Sequence, residues 1–253
     1  MKNIITIAKS TFRETIRDKI LYSILGFALL FIVSTIFFGS ISLGEDIKII
    51  RDFGLAGIYI FSIIIAIFVG TSLVYKELEK RTLYITLSKP VSRAQFVVGK
   101  FMGLMLCLIL VILLMTTVYL IVVAAKGGGF DYRGLIAIIM SLPELAIFVA
   151  LSILFSTFST PLASTIYAVI VLYIGHSLEL AVKFFTKSGG AGYYIFKALY
   201  YILPNLEKFN LRNIAVHQVN LSLSAIIYSL LYGIVYVTIL LLLANWSLKK
   251  TEL

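Results

Sequence analysis

Cysteine is nearly absent from this chain. Cys107 is the one example among 253 residues, and it falls inside an apolar run. That excludes an intrachain disulfide and leaves no Cys/His spacing suited to a metal. A single cysteine among apolar neighbours reads as a small packing residue. Charge is scarce as well. Asp, Glu, Lys and Arg make up 13% of the chain, hydrophobic residues 60%, and mean hydropathy is +1.04. A soluble domain carries roughly twice that share of charge. The deficit excludes an ordinary water-soluble domain and points to an all-α integral membrane protein. Of the charges present, acidic ones are the fewer, 12 against 22 basic, for a net +10. In a soluble chain such an excess suggests nucleic acid. Here the basic residues lie mostly between apolar runs, where the positive-inside rule and anionic headgroups account for them, so membrane lipid and not nucleic acid is the expected contact.

Catalytic motifs are missing too. There is no G-x-x-x-x-G-K-[ST]; Gly127-Gly128-Gly129 is followed by Phe130-Asp131-Tyr132. H-E-x-x-H and G-x-S-x-G are also missing. No catalytic residue, metal ligand set or bound cofactor is expected of the chain, and it carries no P-loop for hydrolysing ATP. Tandem repeats and low-complexity tracts are lacking. The first long apolar run begins at about Ile20, behind a charged stretch too long for a typical signal n-region, and reads as a first membrane span.

What is present is a series of apolar runs. A span needs about 20 such residues. Six segments qualify, at about 20–40, 56–75, 101–125, 135–158, 161–182 and 223–246. Residues 2–19 precede them as an amphipathic helix. Ile5, Ala8, Phe12 and Ile16 share one stripe at 100° per residue, and Lys9, Arg13 and Arg17 run beside it. Such a helix can lie in the membrane interface with its basic flank toward headgroups, the alternative being an ordinary basic N-terminus. With the N-terminus inside, the cytoplasmic segments hold 13 Lys and Arg and the external ones 9, which places both termini in the cytoplasm.

The connections differ in character. Residues 41–55 form a short external loop of mixed charge, and residues 126–134, Lys-Gly-Gly-Gly-Phe-Asp-Tyr-Arg-Gly, a flexible external turn. Thr160 and Pro161 suit the cap and first position of the fifth span. The external segment 183–222 contains an aromatic piece, residues 193–203, about 16 Å long as a helix, half of a bilayer. It either dips into the outer leaflet and returns or lies flat on it; Pro204-Asn205 ends it.

The stretch 76–100 concentrates charge of both signs. Glu77 and Arg81 form a favourable i,i+4 pair, and Lys89-Pro90 stops the helix. Ser92 and Gln95 then form a capping box, with Val91 and Phe96 placed as its hydrophobic staple, so a new helix runs into span three. Leu83, Tyr84 and Leu87 fall on one side of the first helix and Leu78 and Ile85 on the other. Two apolar sides suggest burial between the membrane domain and a partner. Further on, Gly99-x-x-x-Gly103 permits close helix contact.

Glu77-x-Glu79-x-Arg81-Thr82, followed by Leu87-Ser88-Lys89-Pro90-Val91-Ser92-Arg93 and Gly99-Lys100-Phe101, resembles the first cytoplasmic loop of ABC-2 type transporter permeases. The resemblance extends along the whole chain. Leu203-Pro204-Asn205-Leu206 with Phe209-Asn210 is further similar to the nitrous-oxide-reductase maturation permease subgroup. It implies a single transmembrane domain with an N-terminal interfacial helix and an external re-entrant segment before the last span, in the cytoplasmic membrane of a prokaryote. It also implies a coupling helix carrying Glu77, Glu79, Arg81, Thr82, Leu83, Tyr84 and Leu87, with Lys89, Pro90 and Arg93 at its exit. The implied partners are two copies of a P-loop ATPase, which would hold ATP and Mg2+, and a second permease copy in a homodimer. The implied activity is export driven by that ATPase.

Ionisable groups at membrane depth are functional candidates. Glu144 follows Pro143 in span four, where it sits in a proline kink or faces a wet cavity; His176 and Glu179 lie three apart on one face of span five, where they bond each other or touch a substrate. His217, in the external segment, reads as a surface residue. A membrane enzyme or assembly factor using Glu144 or the His176/Glu179 pair is the alternative, and a gradient-driven secondary transporter is a third reading.

Overall fold

The computed structural model describes residues 2–41, 44–79, 92–188, 191–212, 216 and 223–250. The architecture is helical, with no strand among these residues. In chain order the helices are α1 (Lys2–Ile16), α2 (Lys19–Ser40), α3 (Asp46–Glu79), α4 (Arg93–Ala125), α5 (Tyr132–Ser156), α6 (Pro161–Ser188), α7 (Ala191–Ile202), a 3-10 turn (Leu206–Phe209) and α8 (Leu223–Lys250). Six of them, α2 to α6 and α8, are long and apolar enough to cross a membrane.

The helices are longer than the apolar runs suggest. α3 starts at Asp46, so residues 46–55, expected as an external loop, are its first turns. Asp46 favours the positive helix N-terminus, and Ile50 and Leu55 are already buried. α6 likewise continues to Ser188. Local capping matches expectation. Thr160 Oγ1 accepts from the Ala163 amide at 3.4 Å. A further cap interrupts the expected 2–19 helix, where Asp18 accepts from the Ile20 amide at 2.9 Å and starts α2. Ser92 and Gln95 close both arms of the capping box, each at 3.2 Å. Its expected staple partner Val91 lies outside the described residues, as does His217.

α3 and α5 form the buried centre, whereas α2, α6 and α8 turn most of their surface outward. α5 packs against α3, α4, α6 and α8. Cys107 is buried in α4 among apolar side chains.

α1 meets protein through most of the expected stripe, with Phe12 and Ile16 partly buried against the core, and through the small polar residues beside it. Ile5 is 64% exposed, while Ala8, Thr11 and Thr15 are buried against α4. The reason lies in α4. A Cβ on Gly99 would come within 2.8 Å of the Ile7 side chain, and one on Gly103 within 2.6 Å of the Ala8 carbonyl oxygen and of Thr11 Cβ. The two glycines open a groove, and the small face of α1 fills it. Lys100, 3% exposed, pairs with Glu14 at 3.8 Å across the same contact.

The turn between α4 and α5, expected to be flexible, is tied down. Arg51 of α3 donates to the Gly128 carbonyl at 2.8 Å and lies 3.5 Å from Asp131. Asp131 also accepts from the Tyr119 hydroxyl at 2.5 Å and from the Gly134 amide at 3.1 Å. Gly127 and Gly129 have φ of +80° and +64°, which glycine adopts without strain.

Candidate functional site

Among apolar helices, each polar group needs a partner, because no water is there to replace one. Glu144 shows where that rule leads. It lies one residue past Pro143 in α5 and is 1% exposed, facing no wet cavity. Its Oε1 accepts from the hydroxyl of Tyr59 on α3. His176 Nε2 on α6 lies 2.9 Å from the same oxygen and 2.6 Å from the Tyr59 oxygen. Tyr59 O–H therefore donates to Glu144, and a proton on Nε2 is shared between the carboxylate and the phenol oxygen. Three helices meet at one carboxylate.

The chain of contacts continues outward. His176 Nδ1 lies 3.3 Å from Glu207 Oε2. With Nε2 protonated, that contact needs one further proton, on the ring or on the carboxyl. Glu207 Oε1 accepts from Asn210 Nδ2 at 3.2 Å, and Asn210 Oδ1 from Arg212 Nε at 3.1 Å. Arg212 returns to the start, its guanidinium carbon 3.7 Å over the Tyr59 ring. Exposure rises along the path, from 1% at Glu144 to 24% at His176 and 42% at Glu207.

The segment carrying Glu207 and Arg212 is fixed by α8. Tyr236 donates to the Ile202 carbonyl at 2.5 Å, Tyr232 accepts from the Asn205 amide at 2.9 Å, and Ser229 donates to the Lys208 carbonyl at 3.0 Å. These α8 residues, spaced three and four apart, lie on one helix face and satisfy the irregular backbone that Pro204 breaks open. Leu206 and Phe209 flank Glu207 as wedges, both fully buried. Leu206 seats against Gly175 of α6, where a Cβ would come within 2.6 Å, and Phe209 against Gly233 of α8.

Of the membrane candidates, the structure joins Glu144 to His176 but not His176 to Glu179. Glu179 instead bonds Lys183 at 2.6 Å, one turn further along α6. The i,i+3 spacing made the His176–Glu179 pair plausible, but His176 points toward α5 and α3. The sequence pattern missed Tyr59, Glu207 and Arg212. For Glu207 a signal existed, a carboxylate in the Leu206-Glu207-Lys208-Phe209 stretch that follows the Pro204-Asn205 break. Tyr59 and Arg212 had none. The two carboxylates approach opposite nitrogens of one ring and share no point where an ion could sit. Among the described residues no group of three or more His, Cys, Asp and Glu is placed to hold a metal.

Of the loop residues, Glu77 and Glu79 fall in the final turn and a half of α3. Arg81, Thr82, Leu83, Tyr84, Leu87, Lys89 and Pro90 lie outside the described residues. Arg93 opens α4 and donates to the Leu248 carbonyl near the end of α8, at 2.8 Å. The first turns of α4 thus touch α8 through Arg93 and α1 through Gly99, Lys100 and Gly103.

The family model for ABC-2 family transporter proteins matches residues 5–253. No curated protein matches the chain.

Proposed function

The chain belongs to the ABC-2 family of transporter proteins, the membrane permeases of ABC transporters, and on that premise we propose that it exports its substrate using ATP hydrolysed by a separate subunit. Two P-loop ATPase subunits, holding ATP and Mg2+, dock beneath two copies of this chain in the cytoplasmic membrane of a prokaryote. Both termini face the cytoplasm. The segment around Glu77, Glu79 and Arg81 receives the push of ATPase closure and passes it into α4.

The observation that carries this reading is the entry of α4. Immediately after the charged loop, the helix is capped at Ser92 and tied to α8 by Arg93 and to α1 by the Gly99–Gly103 groove. A solvated surface loop requires no such anchorage. A force-bearing joint does, since a frayed first turn absorbs displacement that a capped one transmits. At the opposite end of the bundle, the segment 191–212 serves as the external re-entrant gate, pinned to α8 and to the Glu144 cluster.

The test is co-purification followed by charge reversal. The tagged chain, extracted from its own membranes, is expected to bring down a P-loop ATPase. Glu77→Arg/Glu79→Arg is expected to lower ATP-driven transport at least tenfold while the chain remains folded and inserted. A chain that purifies without an ATPase, or transport indifferent to the double reversal, removes this assignment of the loop.

A further inference from the structure

Arg212 closes a crevice beside Tyr59. Its guanidinium stacks on Tyr59 at 3.7 Å. Beneath it, α3 and α5 form a crevice lined by Leu55, Ile58, Tyr59, Ala137, Ile138 and Ser141, with Arg212 closing it and about 10 Å³ left empty. Tyr59 O–H donates to the buried Glu144, which anchors the hydroxyl end of the ring. Two carboxylates, Glu144 and Glu207, share this region with one imidazole, His176. Without Arg212 these three groups sum to a charge of −1, whether the further proton sits on the ring or on the carboxyl. In both cases the region is short of a cation.

Among the described residues, Arg212 is held differently from its neighbours on the same segment. Leu206 and Phe209 are wedged between helices and their backbone is bonded by α8. Arg212 Nε donates to Asn210 Oδ1, two residues back on its own segment.

We propose that the crevice under Tyr59 is a binding site for a monovalent organic cation of guanidinium or alkylammonium type, and that Arg212 fills it as a tethered stand-in for that ligand. An aromatic face beside carboxylates is how such cations are recognised. In a permease, the cation held there is the charged group of the substrate near the exposed end of its path; that step rests on the transport reading above.

The first measurement needs no ATPase. The purified full-length chain is melted in detergent with ethylguanidinium chloride or with the same concentration of NaCl. Ethylguanidinium is expected to raise the midpoint of Arg212→Ala by about 3 °C when present well above its dissociation constant, and to leave the parent chain unmoved. Arg212→Gln is expected to respond likewise and serves if Arg212→Ala does not fold. The response survives in Arg212→Ala/Tyr59→Phe, which keeps the ring, and disappears in Arg212→Ala/Tyr59→Leu. Equal responses of parent and variants, or a response indifferent to Tyr59→Leu, overturn the site. The second measurement is ATP hydrolysis by the co-purified complex. Ethylguanidinium is expected to stimulate it at least twofold in the parent and not in Tyr59→Leu. No stimulation, with the melting result intact, overturns the substrate step alone, and absence of any ATPase counts against the transport reading instead.

Discussion

His176 Nε2 stands 2.9 Å from Glu144 Oε1, joining α6 to α5 across 32 positions of sequence. The carboxylate is buried, and Tyr59 of α3 bonds the same oxygen. A single side chain therefore satisfies donors from two other helices, and its loss strands both.

Glu144→Ala is expected to destabilise the chain by about 3 kcal/mol or more, because an imidazole and a phenol lose their buried acceptor together. Glu144→Gln keeps an acceptor oxygen for Tyr59, and its cost should stay near 1–2 kcal/mol. Thermal melting of the purified variants separates the two. Identical midpoints for Glu144→Ala and the parent would show that the cluster holds nothing together.

Glycine substitutions in α4 and α2 should differ in sign. A Cβ on Gly103 meets the Ala8 carbonyl and Thr11 at 2.6 Å, whereas one on Gly26 meets nothing within 4 Å. Gly103→Ala must push α1 off its groove, at about 1–3 kcal/mol. Gly26→Ala should stabilise by about 0.4–1 kcal/mol through the unfolded chain. Parallel melting curves test the pair, and a neutral Gly103→Ala would mean that α1 is not seated on α4.

The capped start of α4 gives a local prediction. Ser92→Ala removes the acceptor for the Gln95 amide at a cost of about 1 kcal/mol, equivalent to roughly fivefold faster amide exchange in the first turn. Exchange deeper in α4, around Val111, should not change. A uniform acceleration along the whole helix would show that the cap governs global rather than local stability.

The sequence showed some of this plainly. Span number follows from apolar length, and helix starts follow from Ser92 and Thr160, because both signals are local. The Gly99–Gly103 spacing announced a close contact but not its partner, since any small-faced helix fits such a groove. α1 was legible as amphipathic, yet which of its faces meets protein depended on those two glycines nearly a hundred residues away. The 46–55 stretch read as loop because Glu45, Asp46, Lys48, Arg51 and Asp52 dilute its hydropathy, although Ile50 and Leu55 already pack inward.

By itself, then, the sequence determined that this is a six-span helical membrane protein with a charged, capped break before its third span. Composition, run length and capping chemistry decide those features without reference to distant residues. The tertiary structure alone decided the partners of the buried charges. Spacing on one helix made Glu179 a candidate for His176, but side-chain direction gave His176 to Glu144 and Glu207 and left Glu179 to Lys183. Tyr59 and Arg212 are 153 residues apart, and no local rule connects them. Only the packing of α3 against α5, with the 203–212 segment wedged beside them, puts a guanidinium on an aromatic ring at 3.7 Å.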